Sequence, residues 1–148
     1  MHHLGADVTG FALKPDTKSF FNSCSARKLI KHNIGDINDY KNLEDILCES
    51  KPDIVIHMAA QPLVRLSYEI PLATLQTNII GTANVLMAAH AYGNQPLVAI
   101  VTSDKCYENR EIDVPYTETD RMGGHDPYSA SKGATEIVAA SLAKSFHK

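Results

Sequence analysis

Tyr128 and Lys132 stand four residues apart in the stretch YSASK. On a helix that spacing puts both side chains on one face, one above the other. A phenol ordinarily titrates near a pH of about 10. An ammonium a few ångströms away favours the phenolate, so the pair can work as a general base near neutral pH. With 6 Tyr and 14 Lys and Arg among 148 residues, one such pair by chance is ordinary, and a half-exposed tyrosine beside a solvated lysine is the bland alternative. A second group is the run Ser103, Asp104 and Lys105, which follows the apolar stretch PLVAIVT. A hydroxyl, an acid and an amine leaving one strand end are held close together by a rigid element. Their bland alternative is an aspartate that caps a turn and a lysine that points to solvent.

These residues need a frame, and the chain's pattern supplies one. Apolar segments rich in β-branched residues alternate with helical patterns, the signature of an α/β fold with a doubly wound parallel sheet. Strands are predicted at 7–13, 31–37, 53–59 and 96–102. Two of them are near-continuous apolar runs, as expected of strands covered on both faces. Helices are predicted from Asp39 to Glu49, capped by Asn38 or Asp39, and from Leu72 to Tyr92, ending at Gly93. A last helix begins at HDPYSASK, with Asp126 as its N-cap and Pro127 in its first position. The polar segment 103–126 is a long loop of the kind that more often carries function than not.

Composition narrows the classes. A chain with 44% hydrophobic and 21% charged residues reads as one soluble globular domain. A net charge of -3 with scattered basic residues argues against nucleic acid as a partner. No apolar run approaches the roughly 20 residues that span a bilayer, so no membrane partner and a cytoplasmic location are expected. Three cysteines without a CxxC pair, and histidines without matching spacing, predict neither disulfides nor a metal site. Cys106 and Tyr107 read as packing residues.

In open parallel sheets ligands bind beyond the carboxyl ends of the strands. That rule selects GDI (35–37), HMAAQP (57–62), TSDK (102–105) and the start of the last helix. His57 lies within a strand and reads as a packed, hydrogen-bonded residue. Arg65 and Tyr68 follow the third of the predicted strands, where a guanidinium suits phosphate; a surface arginine without a ligand is the alternative.

The order of these motifs resembles the extended short-chain dehydrogenase/reductase family, the NAD-dependent epimerases and dehydratases with a Rossmann fold. The resemblance implies a catalytic set of Ser103, Tyr128 and Lys132, with Asp104 and Lys105 beside them. It implies NAD contacts from Asp36, Ile37, Met58, Ala59, Ala60, Gln61, Thr77, Asn78, Thr102, Tyr128 and Lys132, with Thr77 and Asn78 in TNIIGT facing the cofactor. Arg65 and Ser103 would meet the substrate. Within the family, AAQPLVRLSYE, TSDKCYENRE and GGHDPYSASKGATE look like the sugar-nucleotide dehydratases that act on CDP-glucose. Relatives acting on dTDP-glucose or GDP-mannose usually carry a glutamate at the position of Lys105.

That branch implies oxidation at C4 of the hexose, elimination across C5 and C6, and return of the hydride to C6. Tyr128, helped by Lys132 and hydrogen-bonded near Ser103, would take the C4 hydroxyl proton. Asp104 is the candidate acid. Lys105 is either the C5 base, if burial or a nearby cation lowers its pKa, or a charged residue that stabilises the developing enolate and holds Asp104.

By the same resemblance, residues 1–148 form a partial NAD-binding Rossmann domain. The family's first strand and glycine-rich turn, and its C-terminal substrate-binding region, are expected to be absent from this chain, which is expected to be poorly stable and inactive alone. Family strand order would then leave two strands with unpaired backbone in mid-sheet. Lys14, where NAD enzymes often place an acid, leaves NAD against NADP unsettled at that site. The whole enzyme is expected to be a homo-oligomer. Alternatives are another dehydratase or epimerase acting on dTDP-, GDP- or UDP-sugars, or a non-catalytic NAD-binding scaffold.

Overall fold

The computed structural model describes residues 1–24 and 26–146. Four parallel strands, β1 (Thr9–Ala12), β2 (Lys31–Ile34), β3 (Ile54–His57) and β4 (Leu97–Ile100), lie inside the four predicted segments. They pair two by two: Thr9 lies opposite Lys31 in β1–β2, and Ile54 lies opposite Leu97 in β3–β4. Among the described residues no ladder joins β1 to β3, so the sheet is in two halves and each of the four strands keeps an unpaired edge. The strands are shorter than predicted because their polar ends turn away. Asp36, for example, accepts the Asn38 N–H at 2.9 Å and starts a turn.

Among the described residues six α-helices accompany them: α1 (Phe20–Ser23), α2 (Tyr40–Ser50), α3 (Val64–Glu69), α4 (Pro71–Leu75), α5 (Gly81–Tyr92) and α6 (Pro127–Phe146). Helix α2 begins where Asp39 accepts the Asn42 N–H at 3.1 Å. The helix predicted from Leu72 to Tyr92 is present as α4, a π turn at Gln76–Ile80 and α5, ending at Gly93 with φ 83°. The π turn is the irregular element, and such turns often mark functional sites. Neither α1 nor α3 is anticipated by the sequence reading.

One layer holds both half-sheets. Leu43 and Leu47 of α2, Val85, Ala88 and Ala89 of α5, and Ile37 form the buried core, with Phe11 of β1 and Val55 and Val98 of β3 and β4 packed against it. Ile37 sits so close to the start of α5 that a Cβ on Gly81 would lie 2.5 Å from its Cδ1. The expectation that apolar strands are covered on both faces is not met for β3–β4. Val55 and Val98 face the helices, but Ile54, Ile56 and Leu97 are exposed, because among the described residues no helix crosses that side.

Candidate active site

Helix α6 presents Tyr128 and Lys132 because its first turn is firmly tied. Asp126 caps it, accepting the Ser129 N–H at 2.9 Å and the Ser129 hydroxyl at 2.6 Å. Partial burial opposes ionisation of Asp126, but these bonds outweigh it and hold its carboxyl below the usual range. The Tyr128 N–H donates to Ser67 Oγ on α3 at 3.2 Å, and Ser67 in turn donates to the Val64 carbonyl. Tyr128 and Lys132 are both buried, with the ammonium 5.9 Å from the centre of the tyrosine ring, within reach of a cation–π attraction. Burial pushes the Lys132 ammonium below its ordinary value, while Glu136 one turn further on pulls the other way. Its ammonium has no hydrogen-bond partner among the described residues, so its donors remain available to a bound hydroxyl.

A buried polar network sets the neighbouring turn. Asn78, in the π segment, accepts the Gln61 N–H at 2.8 Å and donates to the Gln61 carbonyl at 3.1 Å and to Ser131 Oγ at 2.8 Å. Its own carbonyl accepts the hydroxyls of Thr82 and Thr135. Thr82 also lies 2.9 Å from His57 Nε2. With the Thr82 proton given to Asn78, His57 donates from Nε2. Burial, and then the Lys132 charge, lower the His57 pKa to about 4, so the ring is neutral at neutral pH.

The strand-end group lies against α6. The Thr102 hydroxyl donates to Glu136 Oε1. Ser103 Oγ accepts the Lys105 N–H at 3.1 Å at the start of a 3-10 turn, Asp104–Cys106. Among the described residues no hydrogen bond joins Ser103 to the Tyr128 hydroxyl, because the serine oxygen is turned into its own capping bond. Lys105 Nζ and Asp104 Oδ2 are 2.9 Å apart and both side chains are exposed. That contact raises the Lys105 ammonium above its ordinary value, with Tyr116 and Tyr128 adding small effects of the same sign. The geometry therefore presents Lys105 as a charged residue holding Asp104, the second of its two expected roles. Cys106 is buried, its thiol pushed up by burial, and Tyr107 stacks on Tyr116 at 5.1 Å. The Cys106 carbonyl accepts the Gly123 N–H at 2.9 Å, and Arg110 pairs with Asp120 at 2.5 Å, so the long loop is ordered from inside.

The residues expected to meet a cofactor divide into two sets. Met58 and Ala59 are exposed beyond β3, Ala60 and Thr77 are half-buried, and Asp36 keeps one carboxylate oxygen outside its turn. Asn78 and Ile37 differ from expectation. The Asn78 amide is turned inward, held by the half-buried Gln61 backbone and the buried Ser131 hydroxyl, and Ile37 is a core residue. Gln61 closes its own turn, bonding Thr74 Oγ1 at 2.9 Å and the Leu63 N–H at 2.7 Å. Thr102 spends its proton on Glu136. Arg65 and Tyr68 stand exposed on α3. The reading of the sequence did not single out Ser67, Thr82, Ser131, Thr135 or Glu136. For Glu136 a signal existed, its four-residue spacing from Lys132; for Ser67 none did.

Among the described residues no cluster of His, Cys, Asp and Glu could hold a metal ion, and no helix is long and apolar enough to cross a membrane.

Comparison with known proteins decides the lineage. The family model described as GDP-mannose 4,6 dehydratase matches residues 14–147. The chain belongs to that family. A CDP-glucose 4,6-dehydratase of Salmonella typhimurium is 49% identical over 144 residues, covering 97% of this chain and 40% of the relative. A dTDP-glucose 4,6-dehydratase of Mycobacterium tuberculosis is 30% identical over 114 residues, covering 76% of this chain and 33% of the relative. The chain thus spans well under half the length of these relatives. Among solved structures, UDP-glucose 4-epimerase of Thermotoga maritima superposes with TM-score 0.83 at 23% identity, covering 97% of this chain and 45% of that one. The UDP-glucose 4-epimerase of Stenotrophomonas maltophila, solved with bound NAD, also gives 0.83, at 26% identity, covering 97% and 43%. The Rossmann-type fold expected from the motifs is the fold found, and the resemblance to the CDP-glucose branch holds at the level of sequence.

Proposed function

We propose that this chain carries the proton-transfer residues of an NAD-dependent 4,6-dehydratase acting on CDP-glucose and yielding the 4-keto-6-deoxy sugar nucleotide. The observation that supports it most is the meeting of two groups: the Asp104–Lys105 pair leaving β4, and Tyr128 with Lys132 on α6, the helix against which the Asp104–Cys106 turn packs directly. NAD, when bound, supplies the hydride acceptor and donor. The exposed turn Met58–Ala59, the free oxygen of Asp36, Thr77 and the unpartnered Lys132 ammonium fit a dinucleotide lying across the strand ends.

In this reading Tyr128 takes the proton of the C4 hydroxyl, and the buried Lys132 ammonium favours the phenolate. Ser103 releases the Lys105 N–H and turns to the same hydroxyl when substrate is present, since such bonds often tighten only in the complex. Asp104, once it carries a proton and is no longer paired with the Lys105 ammonium, gives that proton to the departing C6 oxygen, which leaves as water. Lys105 remains an ammonium and offsets the negative charge that develops as the C5 proton passes to a base from another part of the whole enzyme. Arg65 reaches the diphosphate from α3. We place the whole enzyme in the cytoplasm as a homo-oligomer, with residues 1–148 as part of its NAD-binding domain and inactive alone.

An epimerase would use Tyr128, Lys132 and Ser103 and leave Asp104 and Lys105 idle. The test is a graft: residues 1–148 replace the matched stretch of the Salmonella typhimurium enzyme, and the absorbance of a 4-keto-6-deoxy product is followed. Product from CDP-glucose in preference to dTDP-glucose and GDP-mannose is expected, with Asp104→Asn abolishing it. No product from any of the three, from a graft that folds, overturns the dehydratase reading.

A further inference from the structure

The contact between β4 and α6 holds a residue that the roles above leave without a task. Glu136 lies half-buried four residues past Lys132, on the same face of α6. It accepts the Thr102 hydroxyl from the last residue before Ser103. The bond spans 34 positions of chain and fastens the strand end to the helix. A second contact lies beside it: a Cβ on Gly133 would stand 3.1 Å from the Cys106 carbonyl, so the 3-10 turn rests directly on α6. The Cys106 and Tyr107 N–H groups close that turn onto the Ser103 and Asp104 carbonyls.

Two consequences meet in one carboxylate. By holding Thr102, Glu136 fixes where Ser103, Asp104 and Lys105 emerge relative to Tyr128. By standing one turn from Lys132, it adds negative charge beside an ammonium that burial disfavours. We propose that Glu136 is a positioning residue of the site: it clamps the end of β4 to α6 and keeps Lys132 charged beside Tyr128. The inference rests on the dehydratase reading for its purpose, but not for its geometry. The other titratable groups facing this region are His57 from β3, Tyr128 from α6, and Asp104, Cys106 and Tyr107 from the turn and the residue after it.

The test uses the 148-residue chain with isotopically labelled lysine, following the Lys132 ammonium by NMR across pH, with Lys132→Arg to assign it. Hydrogen exchange of the Cys106 and Tyr107 amides reads the clamp. Glu136→Ala and Thr102→Val should speed that exchange by about 10- to 100-fold, the loss of one hydrogen bond to a charged group. Thr102→Ser should restore it. Glu136→Gln keeps an acceptor for Thr102 but removes the charge, so exchange should stay near that of the parent while Lys132 titrates lower. Glu136→Asp should bring the titration back toward the parent. Unchanged exchange in a folded Glu136→Ala chain, or a Lys132 titration that Glu136→Gln does not move, overturns the proposal. If either alanine or valine variant unfolds by circular dichroism, the Ser, Gln and Asp variants still decide. Neither readout involves a nucleotide, so a graft without turnover would sink the dehydratase reading and leave this result standing.

Discussion

Replacing Asn78 by alanine removes the side chain that closes the turn after β3, and the cost follows from the bonds it makes. Asn78 is 1% exposed and satisfies both polar groups of the Gln61 backbone, the N–H at 2.8 Å and the carbonyl at 3.1 Å. Ser131 loses one partner but still donates to the Tyr128 carbonyl at 2.6 Å. Gln61 is half-buried, so its two backbone groups left unpaired cost together about 1–3 kcal/mol, the value for one fully buried group. Against a domain stability of about 5–15 kcal/mol, that is a large share. Gln61→Ala is the control, because it removes the side-chain bonds to Thr74 and Leu63 and leaves both backbone bonds intact. It should cost about 1 kcal/mol. Urea unfolding followed by circular dichroism measures both. An Asn78→Ala chain within 1 kcal/mol of the parent, or one no less stable than Gln61→Ala, would refute the claim that this network sets the turn.

Three further outcomes are expected. His57 has a pKa of about 4 in the folded chain against an ordinary 6.5, so the unfolded chain binds more protons between those values. Its contribution is complete above 6.5 and lost as pH falls toward 4; His57→Gln should flatten that part of a stability-against-pH curve. Gly124→Ala would put a Cβ 2.4 Å from Ser129 Cβ and 2.6 Å from the Ala130 nitrogen, whereas Gly123→Ala meets nothing nearer than Glu108 Cβ at 3.6 Å. The first should lower stability by about 1–3 kcal/mol or more and the second by far less, as thermal unfolding would show. Asp104→Asn should lower the Lys105 titration toward the ordinary lysine value, measured by NMR. It should change stability by less than about 1 kcal/mol, because both side chains are exposed.

Where residue type alone dictates local structure, the sequence was readable. The Asp39 and Asp126 caps, the Gly93 stop and the centres of all four strands follow from side-chain chemistry that needs no distant partner. The neighbourhood of Tyr128, Lys132 and the Ser103–Lys105 group follows instead from the order of the motifs and from the rule that ligands gather beyond the strand ends. What could not be read are bonds set by tertiary contact. Nothing in SYE announces that Ser67 will receive the Tyr128 N–H. Ile37 looks like one member of a strand-end motif until Gly81 is seen against it. The family resemblance of TNIIGT is what points Asn78 toward the cofactor. Only the π turn, a local irregularity with no compositional mark, turns its amide inward.

The site is organised by helices and turns more than by the sheet, and this bears on what the split sheet does. Tyr128 is held through Ser67, Lys132 by the burial of α6, the Gln61 turn through Asn78, and the strand-end group through Thr102 and Glu136. None of these ties passes through β1 or β2. The β1–β2 half joins the rest through Phe11 and the α2–α5 core, and Asp36 reaches Thr77 only by way of Asn38. The free edges of β1 and β3 should therefore be felt first as movement between the halves, since unpaired strand edges are the weak part of such a structure. Hydrogen exchange should find the β1 and β2 amides opening well before those of α6 and the π turn. Equal protection in both halves would mean that the shared core, and not strand pairing, sets the stability of the whole. In that case Tyr128, Lys132 and the Asp36 side would move as one unit despite the gap.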